Sequence, residues 1–135
     1  GKELDCRADI YALGASLYHM ISGRLLFDGD PHDVMAAHME RQAPSIRFIN
    51  SDVPVPVTLM IEKMLSKFAA DRQQDWLQVL ADVKRVEKNQ APAGVSADCV
   101  SSMGRDAETE SYARSLGKKI VWKKPTQKKI ILRAP

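Results

Sequence analysis

Apolar residues recur at helical spacing in four stretches of this chain, each bracketed by residues that start or stop helices. The first is predicted over Cys6 to Ser22, with Asp5 as N-cap and Gly23 as the C-terminal stop. Only Ser16 and His19 interrupt its apolar surface in the second half. A helix apolar on nearly every side belongs in the middle of a domain, covered by neighbours. Two of its residues resist that setting. Asp9 puts a carboxylate in one of the first turns, where burial without a partner is costly. Gly14 costs about 1 kcal/mol relative to Ala in a helix interior, so close approach of another backbone is its expected compensation.

Further along, Asp28-Gly29-Asp30 reads as a turn, and Asp30-Pro31 opens a second helix with an acidic cap and proline at its first position. Val34, Met35, His38 and Met39 form its apolar stripe, which ends near Gln42. Residues 43–56 contain Pro44, Pro54 and Pro56 and read as an ordered loop. A third helix is expected from Val57 to Phe68, with Leu59, Met60, Met64 and Leu65 at helical spacing. The fourth starts after Asp75 with a capping-box-like pattern and runs to Lys88, with Trp76, Val79, Leu80, Val83 and Val86 on one face. Residues 90–115 have no convincing period and read as a flexible linker. In 116–135, the runs Ile120-Val121-Trp122 and Ile130-Ile131-Leu132 are set to pair as a small hairpin, a unit that is marginal alone.

Charge sharpens the boundary near Gln90. The 135 residues carry a net +3, but residues 1–90 hold 11 Lys/Arg against 13 Asp/Glu (−2) and residues 91–135 hold 9 against 4 (+5). No apolar run reaches the roughly 18–20 residues needed to cross a bilayer. Cys6 and Cys99 lie in different regions without metal-ligand spacing, so free thiols in a reducing compartment and a cytoplasmic product are expected.

The run from Asp5 to Phe27 resembles a known segment. Asp5-Cys6-Arg7-Ala8-Asp9-Ile10-Tyr11-Ala12-Leu13-Gly14, then Leu17-Tyr18-His19-Met20-Ile21-Ser22-Gly23 and Phe27, follow the pattern of bacterial, eukaryote-like (Hanks-type) serine/threonine protein kinases. There it forms the large central helix of the C-terminal lobe. A second element is Met64-Leu65-Ser66-Lys67-Phe68-Ala69-Ala70-Asp71-Arg72, against a family pattern near M-L-x-K-D-P-x-x-R. Phe68-Ala69 replaces Asp-Pro, which removes a helix terminator and would let the third helix run on. The resemblance covers residues 1–89 and implies a mainly α fold, the lower C-lobe of the kinase fold as four helices plus loops, followed by a largely irregular basic tail.

In such kinases the residue matching Asp9 accepts hydrogen bonds from the backbone of the catalytic loop. The residue matching Arg72 pairs with a glutamate at the end of the activation segment, upstream of Gly1. Without the resemblance, Asp9 would merely complement the helix dipole and Arg72 would be a solvated cation. The glycine-rich loop, the H-R-D and the D-F-G motifs do not occur in these residues. The expectation is therefore a kinase fragment with no catalytic residue, no metal site and no cofactor site of its own. ATP and Mg2+ would act in the complete enzyme, with a protein substrate and the missing N-terminal part of the kinase as partners.

The remaining polar residues support blander roles. His19, His32 and His38 lack ligand spacing and read as packing or surface groups, while Asp28, Asp30 and Asp33 read as turn and cap residues. From Ser111 to Pro135 there are eight cations and no acid, with Trp122 among them. One tryptophan makes no array of stacking platforms, so specific nucleic-acid binding is not expected. The competing class is a non-catalytic, pseudokinase-like interaction module whose basic tail meets an acidic partner.

Overall fold

A computed structural model describes residues 5–95, 100 and 107–115. The elements are α1 (Cys6–Ser22), α2 (Pro31–Glu40), a 3₁₀ turn at Ile46–Phe48, α3 (Val55–Met64), a second 3₁₀ turn at Ala69–Asp71, α4 (Trp76–Glu87) and α5 (Ala107–Ser115). The described residues are thus mainly helical and contain no strand. The apolar runs expected to pair as a hairpin lie outside them.

Helix α1 has the predicted ends. The Asp5 carboxylate accepts from the Arg7 backbone N–H at 3.0 Å, and Gly23 turns into the left-handed region (φ 70°) to donate its N–H to the His19 carbonyl at 2.8 Å. Its inner face carries Ile10, Gly14 and Tyr18, all buried against α3 and the Ile46–Phe48 turn. Ile10 and Met64 are fully buried together beside Val79, each contributing about 1.5–3 kcal/mol from burial alone.

Gly14 sets how close the two central helices come. A Cβ there would lie 2.8 Å from Met64 Cβ and 3.3 Å from the Leu65 side chain. Met64 Cβ is fixed to the α3 backbone, so the helices themselves would have to part. Gly14→Ala gains helix propensity of about 1 kcal/mol, but overpacking of this kind costs about 1–3 kcal/mol. The variant should therefore be less stable in urea unfolding. An unchanged or raised midpoint would mean the contact is looser than described.

Four expectations need correction. First, α1 is not covered all round: Ala12, Leu13, Ser16 and Met20 are exposed, Met20 at 79%. Its neighbours among the described residues all lie on the side of Gly14.

Second, α3 begins two residues early and ends at Met64 instead of Phe68. Val55 and Pro56 occupy the first turn, where a missing N–H costs nothing. At the other end, Arg72 takes the carbonyls of Ser66 and Lys67, so the chain leaves the helix without any proline.

Third, the expected linker holds α5, which rests on α3: Val100 and Ala113 pack with Val55 and Leu59, and Glu108 pairs with the buried Arg47 at 3.2 Å. Fourth, the apolar stripe of α4 is turned from expectation. Val79 and Asp82 face inward, whereas Trp76 and Leu80 are 46% and 49% exposed.

Candidate functional site

The first turn of α1 presents Asp9 to solvent, on the same exposed face as Leu13, Ser16 and Met20. These positions follow the helical repeat, so one stripe begins with a carboxylate and continues with small and apolar side chains. Among the described residues no group hydrogen-bonds the Asp9 carboxylate. Arg7, one turn-face away, is engaged instead with Asp5 and with the Gln74 side chain.

Arg72 lies at the other side of the α1 N-terminus. Its Nε donates to the Ser66 carbonyl at 2.7 Å, one Nη to the Arg7 carbonyl at 3.0 Å and the other to the Lys67 carbonyl at 3.1 Å. The guanidinium also stacks over the Tyr11 ring, 4.8 Å from its centroid. A guanidinium has five N–H donors, so three are committed here and two have no acceptor among the described residues. Burial pushes this cation down from its ordinary value. Arg72 is thus half-satisfied: it ties the α3 exit to the first turn of α1 and keeps donors for one more acceptor.

Tyr11 connects Arg72 to a second cation. Lys67 Nζ lies 3.4 Å from the Tyr11 hydroxyl, 2.9 Å from the His38 carbonyl and 3.4 Å from the Ala37 carbonyl. The ammonium therefore caps the C-terminal end of α2, taking the His38 carbonyl and sharing that of Ala37 with the Arg41 N–H. His38 reaches back, with Nδ1 2.9 Å from the Tyr11 hydroxyl and its ring edge-on to Phe27 at 5.0 Å. His19 and His32 take no part in this cluster and are exposed. Lys67 belongs to a motif the sequence displayed, but its role needs groups 29–56 residues away and had no local signal.

A third polar group was not foreseen. Asp82 is buried on α4 and accepts from Gln73 Nε2 at 2.9 Å, Lys63 Nζ at 3.4 Å and the Ala93 backbone N–H at 3.0 Å. Lys63 also donates to the Ala93 carbonyl at 2.7 Å. Together these bonds tie α3, α4 and the segment after α4. Cys6 is a free thiol, and among the described residues no three His, Cys, Asp or Glu side chains are placed to hold a metal ion.

Among the described residues the arrangement is that of a helical scaffold: Arg72 and Lys67 brace backbone carbonyls, acceptor capacity stays open at Asp9 and donor capacity at Arg72, and no nucleophile–base pair is assembled. The same likeness emerges from known proteins. The chain is 31% identical over 90 residues to a probable serine/threonine-protein kinase of Clostridium acetobutylicum, covering 66% of this chain and 14% of that protein. It is 35% identical over 95 residues to the serine/threonine-protein kinase PknB of Mycolicibacterium smegmatis, covering 68% and 15%. It is 33% identical over 94 residues to the probable serine/threonine-protein kinase PknB of Corynebacterium glutamicum, covering 66% and 15%. The chain matches no family model. It spans only about 14–15% of the length of these relatives. These homologues are Hanks-type serine/threonine protein kinases matched over a small part of their length, and the mainly helical fold of the described residues is consistent with a segment of a kinase C-terminal lobe.

Proposed function

We propose that this chain is the lower scaffold of a kinase C-terminal lobe, and that its work is to hold the catalytic parts of the complete enzyme in place. The observation that carries this is the exposed stripe Asp9–Leu13–Ser16–Met20 on a helix whose other face is the centre of the core. A stripe of that composition has chemistry suited to receiving another segment: a carboxylate to accept backbone N–H groups, then apolar surface to bury. Asp9 braces the catalytic loop. The two open N–H groups of Arg72 pair with a glutamate of the activation segment. Exposed Met35 and Met39 on α2 offer docking surface to the protein substrate.

In the complete enzyme, ATP and Mg2+ serve the transfer of phosphate to Ser/Thr hydroxyls. Neither fits the residues of this segment, which have no glycine-rich phosphate loop and, as described, no converging ligand set. Phosphoryl transfer depends almost wholly on positioning and electrostatics. A bracing residue can therefore control rate without touching substrate. A cytoplasmic setting is part of this proposal. Among the described residues no helix is long and apolar enough to cross a membrane.

The test is the kinase polypeptide that carries this segment, assayed for ATP-dependent phosphorylation of a protein substrate. Asp9→Ala should lower kcat about 100-fold, the scale expected when a catalytic group is misplaced by about 1 Å. In the 135-residue chain the same change should shift stability by no more than about 1 kcal/mol, since Asp9 is exposed there and only its dipole contribution is lost. Full activity of the variant enzyme would remove the bracing role.

A further inference from the structure

We propose that His38 is a proton-operated fastening for α2: when neutral it clasps the helix to α1 through Tyr11, and when protonated it lets the helix go. Its bearing on substrate docking rests on the reading above, whereas the fastening itself does not.

Helix α2 has little else to hold it. Ala37 is its one buried residue, and Met35 and Met39 are 65% and 74% exposed. Attachment falls to two side-chain connections at its C-terminal end. One is Lys67, whose ammonium holds the carbonyls of Ala37 and His38. The other is the 2.9 Å hydrogen bond between His38 Nδ1 and Tyr11.

The proton arrangement in that bond is part of the proposal. An ammonium can only donate, so the Tyr11 oxygen accepts from Lys67 with one lone pair. We assign the hydroxyl hydrogen to His38 Nδ1, which makes Nδ1 the unprotonated nitrogen of a neutral imidazole whose proton is on Nε2. A proton taken from water at Nδ1 removes that acceptor and leaves the Tyr11 O–H without one. It also sets a second cation beside Lys67 around a single phenol oxygen.

The surroundings offer no relief. The groups in contact with His38 are Tyr11 from α1, Phe27 from the loop before α2 and Lys67 from the segment after α3, with the exposed His19 of α1 bordering the same recess. The recess beside it, about 220 Å³, is lined by Ala15, Ser16, His19, Leu25, Leu26 and Phe27 with no carboxylate among them. The ring faces that could receive a cation are already occupied, since Lys67 lies 5.0 Å from the Phe27 centroid and 5.5 Å from that of Tyr11, with Arg72 over Tyr11 as well. Burial and the Lys67 charge both hold His38 below its ordinary value. The sign follows: the neutral clasp contributes fully above the unfolded-state value of 6.5 and is lost as pH falls through the lower folded-state value.

The experiment is amide hydrogen exchange of α2 in the 135-residue chain at about pH 8 and about pH 5, corrected for intrinsic rates, beside NMR titration of His38. Protection of α2 should fall about tenfold or more at the lower pH while α1 and α3 keep theirs, and the loss should follow His38 protonation. In His38→Gln, which cannot titrate, α2 protection should be the same at both pH values. In Lys67→Met the titration midpoint of His38 should rise toward the ordinary value, a readout that survives even if the glutamine variant holds α2 poorly. A tenfold loss that persists in His38→Gln, or a His38 titration that leaves Tyr11 and α2 unmoved, would overturn the proposal.

Discussion

Replacing Glu62 by Gln should stabilise the chain by about 3 kcal/mol at pH 8 and leave it nearly unchanged near pH 4. Glu62 sits on α3 near the buried Tyr18, whose phenol is held above its ordinary value by burial first and by the Glu62 charge as well, and no cation pairs with Glu62 among the described residues. Burial therefore raises its carboxyl from 4.5 to about 7. Between those values the folded chain binds a proton that the unfolded chain has lost. Stability from this group is fully present below 4.5 and is lost as pH rises through about 7. A gap of about 2.5 units at 1.36 kcal/mol each gives the expected size. Urea unfolding of both proteins across this range measures it directly. A variant no more stable than the parent at pH 8 would show that the carboxylate is hydrated or paired.

Asp82→Ala should have the opposite sign and comparable size, about 3–5 kcal/mol of destabilisation, because it leaves the Lys63 ammonium without its counter-charge, with only the Ala93 carbonyl as acceptor, and Gln73 Nε2 with none among the described residues. The side chain of Asp82 is 2% exposed and that of Lys63 18%, so little water can replace the lost bonds. The Ala93 N–H is orphaned too, and residues 91–95 should lose hydrogen-exchange protection before the global transition. Asp82→Asn keeps the shape and one acceptor oxygen and should fall between the two. If alanine costs under about 1 kcal/mol, the network is solvated and the segment after α4 is held by other means.

Much of this fold was legible in local pattern. Asp5, Gly23, Asp30-Pro31 and Asp75 mark helix ends by chemistry that acts within a few residues, and the helices start where those signals put them. What failed was whatever depended on distant partners. The end of α3 is set by Arg72 reaching back to Ser66 and Lys67. Helix α5 has weak periodicity and is stabilised by Val55, Leu59 and Arg47, about 50–60 residues earlier. Asp82 carries no local signal in the sequence, and its network exists only once α3 and Ala93 are brought around it.

The candidate site divides in the same way. Asp9 and Gly14 stood out because a charge and a glycine sit in an otherwise apolar helix, whereas Arg72 stood out only through the kinase-like motif around it. The Lys67–Tyr11–His38 connection violates nothing locally. It is visible only once three segments meet.

The central claim is that the exposed stripe of α1 is an interface with the rest of a kinase lobe, and methionine oxidation tests it most directly. Met20 is 79% exposed here, as Met35 and Met39 are at 65% and 74%. In a kinase polypeptide that carries this segment, Met20 should become resistant to brief peroxide treatment while Met35 and Met39, on α2, continue to react. Equal oxidation of all three in that protein would show that nothing covers the stripe and would contradict the account.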